Sequence, residues 1–532
     1  MDADVVVVGG GPVGLGLAID LAQRGVTVTV VERHRTIQPI PKGQNLTQRS
    51  DEHFRCWGVT EAIKARSPIP PDKANGGLTC YGTLLSGYHF NWFQRQSVRE
   101  FYAADSERLP QYETEAALRE RLAQLPNARL LSGWTFVAVS HSHDSVQLTL
   151  SETDGTAQTH LTAHYAVGCD GARSSFRGSL GVGLTIDDPG KKMVLLTFRS
   201  PRLDQLVAPL GPKAIYKVLR PGDQGYWNFF GRVDLDAGWF FHAPVALDAT
   251  EQTYDFASHL AAAVGAAFDL ELTHVGFWDL RFAHAEAYRD HRLFLAGDAA
   301  HSHPPYGGYG INTGFEDARN LSWKLAAELA GWAGPHLLDS YHDERHPVFA
   351  STRDQFIAAY IRNEAAFLSS YDPQRDREAF ERAWSRMAQS DWDVSRYCPN
   401  YRGSAIVRGA TAGCPSAVGE HTLQAQAGCH LPPRKLADGS PVYDRLGSGF
   451  SLIAIDQPPA RIDGFRTAAA RRGVPLTIIP TAASPQTDEW RARILLVRPD
   501  HFVGYCSDEA DAIDPDDVLR VCTGQELQRP HD

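Results

Sequence analysis

The chain has 532 residues, 43% of them hydrophobic and 22% charged, with a formal net charge of −11. That length is more than one hydrophobic core serves, so two to four domains are expected, and the negative balance speaks against nucleic acid or an anionic membrane surface as partner. No run is apolar enough to span a bilayer, and the eight cysteines are scattered without Cys-x-x-Cys or Cys/His metal spacing, which gives no sign of a metal and suits a reducing cytoplasm.

The apolar run Val5 to Val8 is followed directly by Gly9-Gly10-Gly11-Pro12-Val13-Gly14. Because Val5 to Val8 already read as the first strand, no signal peptide is expected. The glycines have the spacing Gly9-x-Gly11-x-x-Gly14. Gly9 permits a tight turn, Gly11 lets a pyrophosphate approach the backbone, and Gly14 lets the following helix pack closely on the strand. Leu15, Ala18, Ile19 and Ala22 form the apolar stripe of that helix, and Gly25 stops it. Val26 to Val31 alternates like a second strand, and Glu32 ends it, placed to accept hydrogen bonds from a ribose. Such a unit holds the ADP half of NAD and of FAD alike.

Further on, the pattern predicts a turn through Pro39 and Pro41, a helix around Ser50 to Trp57, a proline-rich loop at Pro68 to Pro71 and a helix over Glu113 to Leu125. Strands are predicted at Leu130 to Val139 and Ser145 to Ser151, joined by a polar turn at His141 to Asp144. From about Asp187 to Arg281, short aromatic-rich runs are separated by Gly, Pro and Asp, as in a β-sheet domain. A buried strand, Arg292 to Ala296, then leads into Gly297-Asp298, which puts the Asp298 carboxylate at the C-terminal edge of a sheet, where ligands bind. Pro304, Pro305 and nearby glycines force a loop, and a helix over Thr313 to Ala330 points its positive end at whatever occupies that loop. For a flavin, that would be the edge where reduction places negative charge. More helix follows to about Met387. A glycine-rich connector spans Asn400 to Pro415, and strands at Phe450 to Ile455, Pro475 to Ile479 and Ile494 to Val497, with a helix over Phe465 to Arg472, predict a small separate α/β domain.

Three segments in this order, the glycine fingerprint, Gly168-Cys169-Asp170-Gly171 running on to Arg177, and Gly297-Asp298-Ala299-Ala300-His301 running on to Gly314, resemble the single-component (class A) flavoprotein monooxygenases, the family of p-hydroxybenzoate hydroxylase and phenol hydroxylase. The resemblance covers roughly residues 1–395. The tail from about Gly428 resembles the thioredoxin-like C-terminal domain of the phenol hydroxylase branch, and without a cysteine pair it should be redox-silent. The implied fold is α/β: a Rossmann-like FAD-binding domain (1–185 and 283–395), an inserted β-sheet substrate domain (186–282), a linker (396–427) and the thioredoxin-like domain (428–532).

The resemblance implies FAD as cofactor, NADPH or NADH as co-substrate, and hydroxylation of a phenolic or other electron-rich aromatic through a flavin hydroperoxide. No second glycine fingerprint marks a nicotinamide site, and the family has none. The implied FAD contacts are Gly9, Gly11, Pro12, Val13, Gly14, Glu32 and Arg33 in the first unit and Arg49, Gln111 and Asp170 in the middle. In the late loop they are Asp298, Pro305, Gly308, Gly310, Ile311 and Asn312. Pro305 and Tyr309 are the catalytic candidates, because that loop lies close to the reacting oxygen in the family. Tyr216, Trp227, Phe229, His242 and Tyr306 are candidates for substrate contact, although aromatic residues on strands more often fill a core. No catalytic base is named.

Two alternatives are a tailoring or antibiotic-inactivating monooxygenase acting on a polycyclic substrate, and a flavin-bound sensor or interaction module. A flavin halogenase is disfavoured, because Trp134 is followed by Thr135-Phe136 rather than by that family's Trp-x-Trp-x-Ile stretch. The expected partners are a small aromatic molecule and oxygen, with the tail supporting packing or a homodimer.

Overall fold

The computed structural model describes residues 1–70, 76–389, 392–409, 413–508 and 513–527. Pro71 of the proline-rich loop and residues 410–412 of the connector lie outside them.

The first sheet has six strands in the order Arg289–Asp290, Leu293–Leu295, Tyr165–Gly168, Val5–Val8, Val28–Glu32 and Ala128–Ser132. All neighbours are parallel except the short first pair. Val5 to Val8 are wholly or almost wholly buried because they share one core with the fingerprint helix residues Leu15 and Ile19 and with Phe136, Leu148 and Leu161 of neighbouring strands, which is why this strand is a continuous apolar run. The fingerprint helix Pro12–Gln23 has Pro12 in its first turn, where the missing N–H costs nothing. Gly14 is required by space: a Cβ there would lie 2.1 Å from the Gly9 carbonyl oxygen.

The predicted strand Leu130 to Val139 is two strands. Gly133, at φ 81°, breaks it, so Ala128–Ser132 stays in the first sheet while Trp134–His141 joins Val146–Glu152 and Gln158–Ala163 in a three-stranded sheet. A single glycine in a left-handed conformation redirects the chain where the apolar pattern runs on.

The second large sheet has eight strands, in the order His301–Ser302, Glu271–Ala285, Leu184–Arg199, Gly238–Val245, Asn228–Arg232, Ile215–Leu219, Gly77–Tyr81 and His89–Trp92. It is therefore not confined to 186–282. Leu78 and Cys80, from the early part of the chain, share a core with Tyr216, Val218, Phe230 and Phe241 beneath the helix Phe256–Val264, which draws the last two strands in. Side chains alternate across this sheet: Phe230 and Phe241 enter that core, whereas Phe229, Phe240 and His242 face the other way.

The C-terminal segment forms a four-stranded sheet, Leu476–Thr481, Phe450–Ile455, Ile494–Val497 and Val503–Ser507, with the first pair parallel and the others antiparallel. Helices Pro459–Arg472 and Pro515–Cys522 pack on it. It docks on the helix Gly310–Leu329 through buried charge. Arg498 reaches both Glu344 oxygens at 2.6 and 2.9 Å and Asp500 at 2.6 Å, while Lys324 meets Glu344 at 2.8 Å. Arg319 bonds both Asp20 of the fingerprint helix and the Pro499 carbonyl at 2.6 Å. The eight cysteines are all free thiols. Among the described residues no helix is long and apolar enough to cross a membrane.

Candidate functional site

Val8 and Gly168 are register partners at the C-terminal ends of adjacent parallel strands. Two adjoining cavities open there, of about 280 and 350 Å³, and Gly11, Gln111, Cys169 and Gly171 line both. They form one trench along the crevice where such sheets bind ligands.

The first cavity is lined by Gly9, Glu32, Arg33 and Asp170. Glu32 accepts the Gly10 N–H on Oε2 and the His34 N–H on Oε1, both at 2.8 Å. Each carboxylate oxygen retains a lone pair for a hydroxyl in the cavity. Asp170 is not ion-paired with Arg173 or Arg177. It caps the helix Ser175–Leu180, accepting the Phe176 N–H at 3.0 Å and the hydroxyls of Ser174 and Ser175. Arg177 instead donates to the Ala299 carbonyl at 2.6 Å, tying the middle motif to the late one.

The second cavity is lined by Pro12, Val13 and Asp298, and by Pro305, Gly308, Gly310 and Ile311 of the late loop. Gly307 and Gly308 have φ of 74° and 68°, values that make glycine the natural residue in this turn. Thr313 donates the first helical hydrogen bond, to Tyr309 at 2.8 Å. The N–H groups of Gly310, Ile311 and Asn312 therefore precede the helical ladder and point toward the trench end. Asp298 is exposed in the wall of this cavity, between the buried Gly297 and Ala299, and the protein packed around it raises its carboxyl above the ordinary range, against the pull of His301 and Lys42.

The late motif is held by a buried cluster that the sequence pattern did not single out. Asp317, in the helix Gly310–Leu329, accepts the Gly297 N–H at 3.0 Å, His301 Nε2 at 2.6 Å and Arg345 Nε at 2.7 Å. Burial alone would raise this carboxyl. His301 and Arg345 outweigh it and hold it below the usual carboxylate range.

Three residues expected to touch a cofactor or substrate, Gly14, Arg49 and Tyr309, lie elsewhere, and a fourth, Asn312, turns its side chain away. Gly14 is under the turn, not in the wall. Arg49 is buried, with its guanidinium on Glu52 at 2.6 Å, on Glu316 at 2.8 Å and on the Asp500 carbonyl at 3.2 Å. Three acceptors hold it toward the C-terminal segment, away from the trench. Asn312 spends its amide on the protein: it donates to the carbonyls of Asn45 and Gly308 at 2.9 and 2.6 Å and accepts from the Thr47 N–H and the Ser50 hydroxyl at 2.9 and 2.6 Å. Its side chain clamps two loops. Tyr309 turns its ring away, packing on Tyr397 at 4.3 Å and Phe356 at 5.9 Å.

Of the candidate substrate contacts, Phe229 and His242 line the second cavity together with Phe240. Tyr216 is buried in the opposite core beside Trp239, and Trp227 and Tyr306 pack on each other at 4.0 Å. Three further lining residues, Lys42, Asn45 and His303, were not predicted. His303 was legible in the His-Pro-Pro run, while Lys42 and Asn45 carry no motif of their own.

The trench suits a long molecule with an anionic middle. A Cβ on Gly11 would meet nothing within 4 Å, so the space above this glycine is open for a ligand rather than for packing. An acceptor at Glu32 marks one end, two helix N-termini face the middle and far end, and Asp298 lies between them. This donor and acceptor set fits FAD. Residues 2–355 match the FAD binding domain family.

The chain belongs to this family and is an FAD-dependent monooxygenase. It is 35% identical over 361 residues to the rifampicin monooxygenase of Streptomyces venezuelae, covering 66% of this chain and 70% of that one. It is 30% identical over 548 residues to the 4-methyl-5-nitrocatechol 5-monooxygenase of a Burkholderia species, covering 98% and 96%. Among solved structures, the substrate-free rebeccamycin biosynthetic enzyme superposes with a TM-score of 0.81 at 27% identity, over 98% of this chain and 99% of that one.

Proposed function

We propose that this monooxygenase hydroxylates an electron-rich, hydroxylated aromatic ring in the second cavity, with NADH or NADPH as reductant. The observation that carries this reading is the position of the aromatic wall. Phe229, Phe240 and His242 stand in the same cavity as Pro305, Gly308 and Gly310, so a flat apolar ring has room against the FAD loop. When bound there, FAD supplies the reduction and oxygen-activation chemistry. The chain's own part is binding, orientation and exclusion of water. Glu32 holds the ribose of the ADP half, and the N-terminus of Pro12–Gln23 faces the pyrophosphate. The N–H groups of Gly310 and Ile311 stabilise negative charge at the far end. Pro305 and Phe240 keep that end dry.

The substrate class has two versions. A monocyclic phenol or catechol accords with likeness to the nitrocatechol enzyme across almost the whole chain. A polycyclic metabolite accords with likeness to the rifampicin enzyme. The same reading includes a reducing, cytoplasmic setting, which accords with eight free thiols, and a homodimer, which light scattering would test. Stimulation of NADH or NADPH oxidation by phenols, catechols and hydroxylated polycyclic aromatics, with hydrogen peroxide quantified, tests the function. Strong stimulation by one class with little peroxide is the expected result. No stimulation by either class would overturn it.

A further inference from the structure

Two histidines, His242 and His303, stand in the wall of the second cavity. His242 comes from the strand Gly238–Val245, two residues after Phe240 and opposite Phe229 in the register. His303 comes from the loop that also carries Pro305. Each has a buried ring nitrogen without a hydrogen-bond partner among the described residues: Nδ1 of His242 and Nε2 of His303. A buried polar atom left unpaired is costly, and in a ligand site it points to a partner that the protein itself does not supply.

The protonation state of His303 follows from its neighbour. Its Nδ1 lies 2.7 Å from the Pro304 carbonyl oxygen. A carbonyl only accepts, so Nδ1 carries the hydrogen and the neutral ring presents a lone pair at Nε2. Nε2 would lie 3.9 Å from a Cβ on Gly310, which places it beside another residue of the cavity wall. Phe349 stacks on the outer side of the ring at 5.7 Å. His242 stands between the rings of Phe240 and Trp278. Burial lowers both imidazoles to about 4; at His303 the bond to the Pro304 carbonyl works against burial and the neighbouring His301 ring adds to it. Both are uncharged at neutral pH. The remaining charged residues of this cavity are Asp298 and Lys42, and Lys42 is exposed at the mouth. Among the described residues no arginine lines it.

We propose that His303 and His242 form a hydroxyl-recognition subsite for an uncharged hydroxylated aromatic, with the substrate O–H donating to His303 Nε2 and His242 bonding a second oxygen. The subsite selects against aromatic carboxylates, because no fixed cation waits at the apolar end to offset a buried carboxylate. It rests on the proposed function and deepens it by stating which aromatic fits.

Equilibrium binding without reductant separates the two. In FAD-loaded protein, perturbation of the flavin absorbance reports ligand occupancy with no turnover. The probes are catechol and 1,8-dihydroxyanthraquinone as uncharged hydroxyaromatics, anthraquinone as their counterpart without hydroxyls, and 4-hydroxybenzoate as the carboxylate. In the parent protein at neutral pH, the hydroxylated probes bind more tightly than 4-hydroxybenzoate. His303→Leu weakens them about tenfold, the equivalent of one neutral hydrogen bond, and leaves anthraquinone unchanged. His303→Gln, whose amide oxygen can occupy the Nε2 position, restores most of the loss. His242→Leu gives a smaller loss with the same selectivity. FAD content of each variant shows that the site is intact.

The proposal is overturned if His303→Leu binds hydroxylated and plain anthraquinone as the parent does, or if the parent prefers 4-hydroxybenzoate. Hydroxyaromatics that turn over in the parent while both variants bind them normally would sink this subsite and leave the proposed function standing. No flavin perturbation and no stimulated reductant oxidation by any probe would overturn both.

Discussion

Asp317→Asn isolates the cluster that holds the late motif. Asp317 and Arg345 are both wholly buried, and the carboxylate accepts from Arg345, His301 and the Gly297 N–H. The amide keeps the volume and one acceptor oxygen but removes the negative charge, so the Arg345 guanidinium loses its only ion-pair partner among the described residues and is left with neutral acceptors, the Thr313 carbonyl and the Tyr401 hydroxyl among them. Leaving one member of a buried pair uncompensated costs about 3–5 kcal/mol, a large part of the roughly 5–15 kcal/mol that holds an ordinary domain together. The loss is read from urea unfolding of the FAD-free chain, followed by FAD titration, because the Gly297–Asp298 turn loosens with its anchor. Asp317→Asn with Arg345→Met should recover part of the loss, since the stranded charge is then gone. A single variant that unfolds within about 1 kcal/mol of the parent and binds FAD equally would refute the reasoning.

The two glycine positions of the fingerprint should separate folding from binding. Gly11→Ala places its Cβ in open space, so the FAD-free chain should melt within about 2 °C of the parent while FAD dissociates at least about tenfold more readily, read by fluorescence titration. Gly14→Ala meets the Gly9 carbonyl at 2.1 Å and should lower the melting temperature of the FAD-free chain itself. Glu107 is pushed up to about 7, chiefly by burial and then by Asp51. Its folded form binds a proton more tightly than its unfolded form, so its contribution to stability is full below about pH 4.5 and is lost as pH rises to about 7, on the order of 2 kcal/mol. Glu107→Gln should flatten that slope in unfolding curves measured between these values. Arg498→Met takes the guanidinium from Asp500 and from Glu344, which keeps only Lys324 as a cation among the described residues, and should release the C-terminal segment to limited proteolysis before the first sheet opens.

The FAD half of the molecule was legible because its chemistry needs residue types at fixed spacing. Gly9, Gly11 and Glu32 serve one strand–helix–strand unit, and Asp298 follows a strand whose apolar run is unmistakable. What stayed hidden depends on long-range packing. Nothing local marks Gly77–Tyr81 as an edge of the second sheet, since Leu78 and Cys80 are recruited by a core assembled from residues more than a hundred positions away. Arg49 and Tyr309 illustrate the limit of carrying roles over by position. Each sits in the right motif, and each is turned from the trench by partners distant in sequence, Glu316 and Asp500 for one, Tyr397 and Phe356 for the other. Asn312 was placed correctly along the chain, but its amide is saturated by two loops. His303 shows the reverse: an unremarked residue between the strand and the two prolines whose tautomer only the three-dimensional contact with Pro304 decides.

If the trench holds FAD and a hydroxylated ring beside Pro305 receives one atom of molecular oxygen, an oxygen label must pass into the product. The most direct test is turnover of the FAD-loaded protein with NADH or NADPH under isotopically labelled oxygen, across uncharged phenols, catechols and hydroxylated polycyclic aromatics, with products read by mass spectrometry. The expected product has gained one labelled oxygen atom and forms in near-equal amount to the reductant consumed. Reductant oxidised only to hydrogen peroxide with every class, and no labelled product, would contradict it.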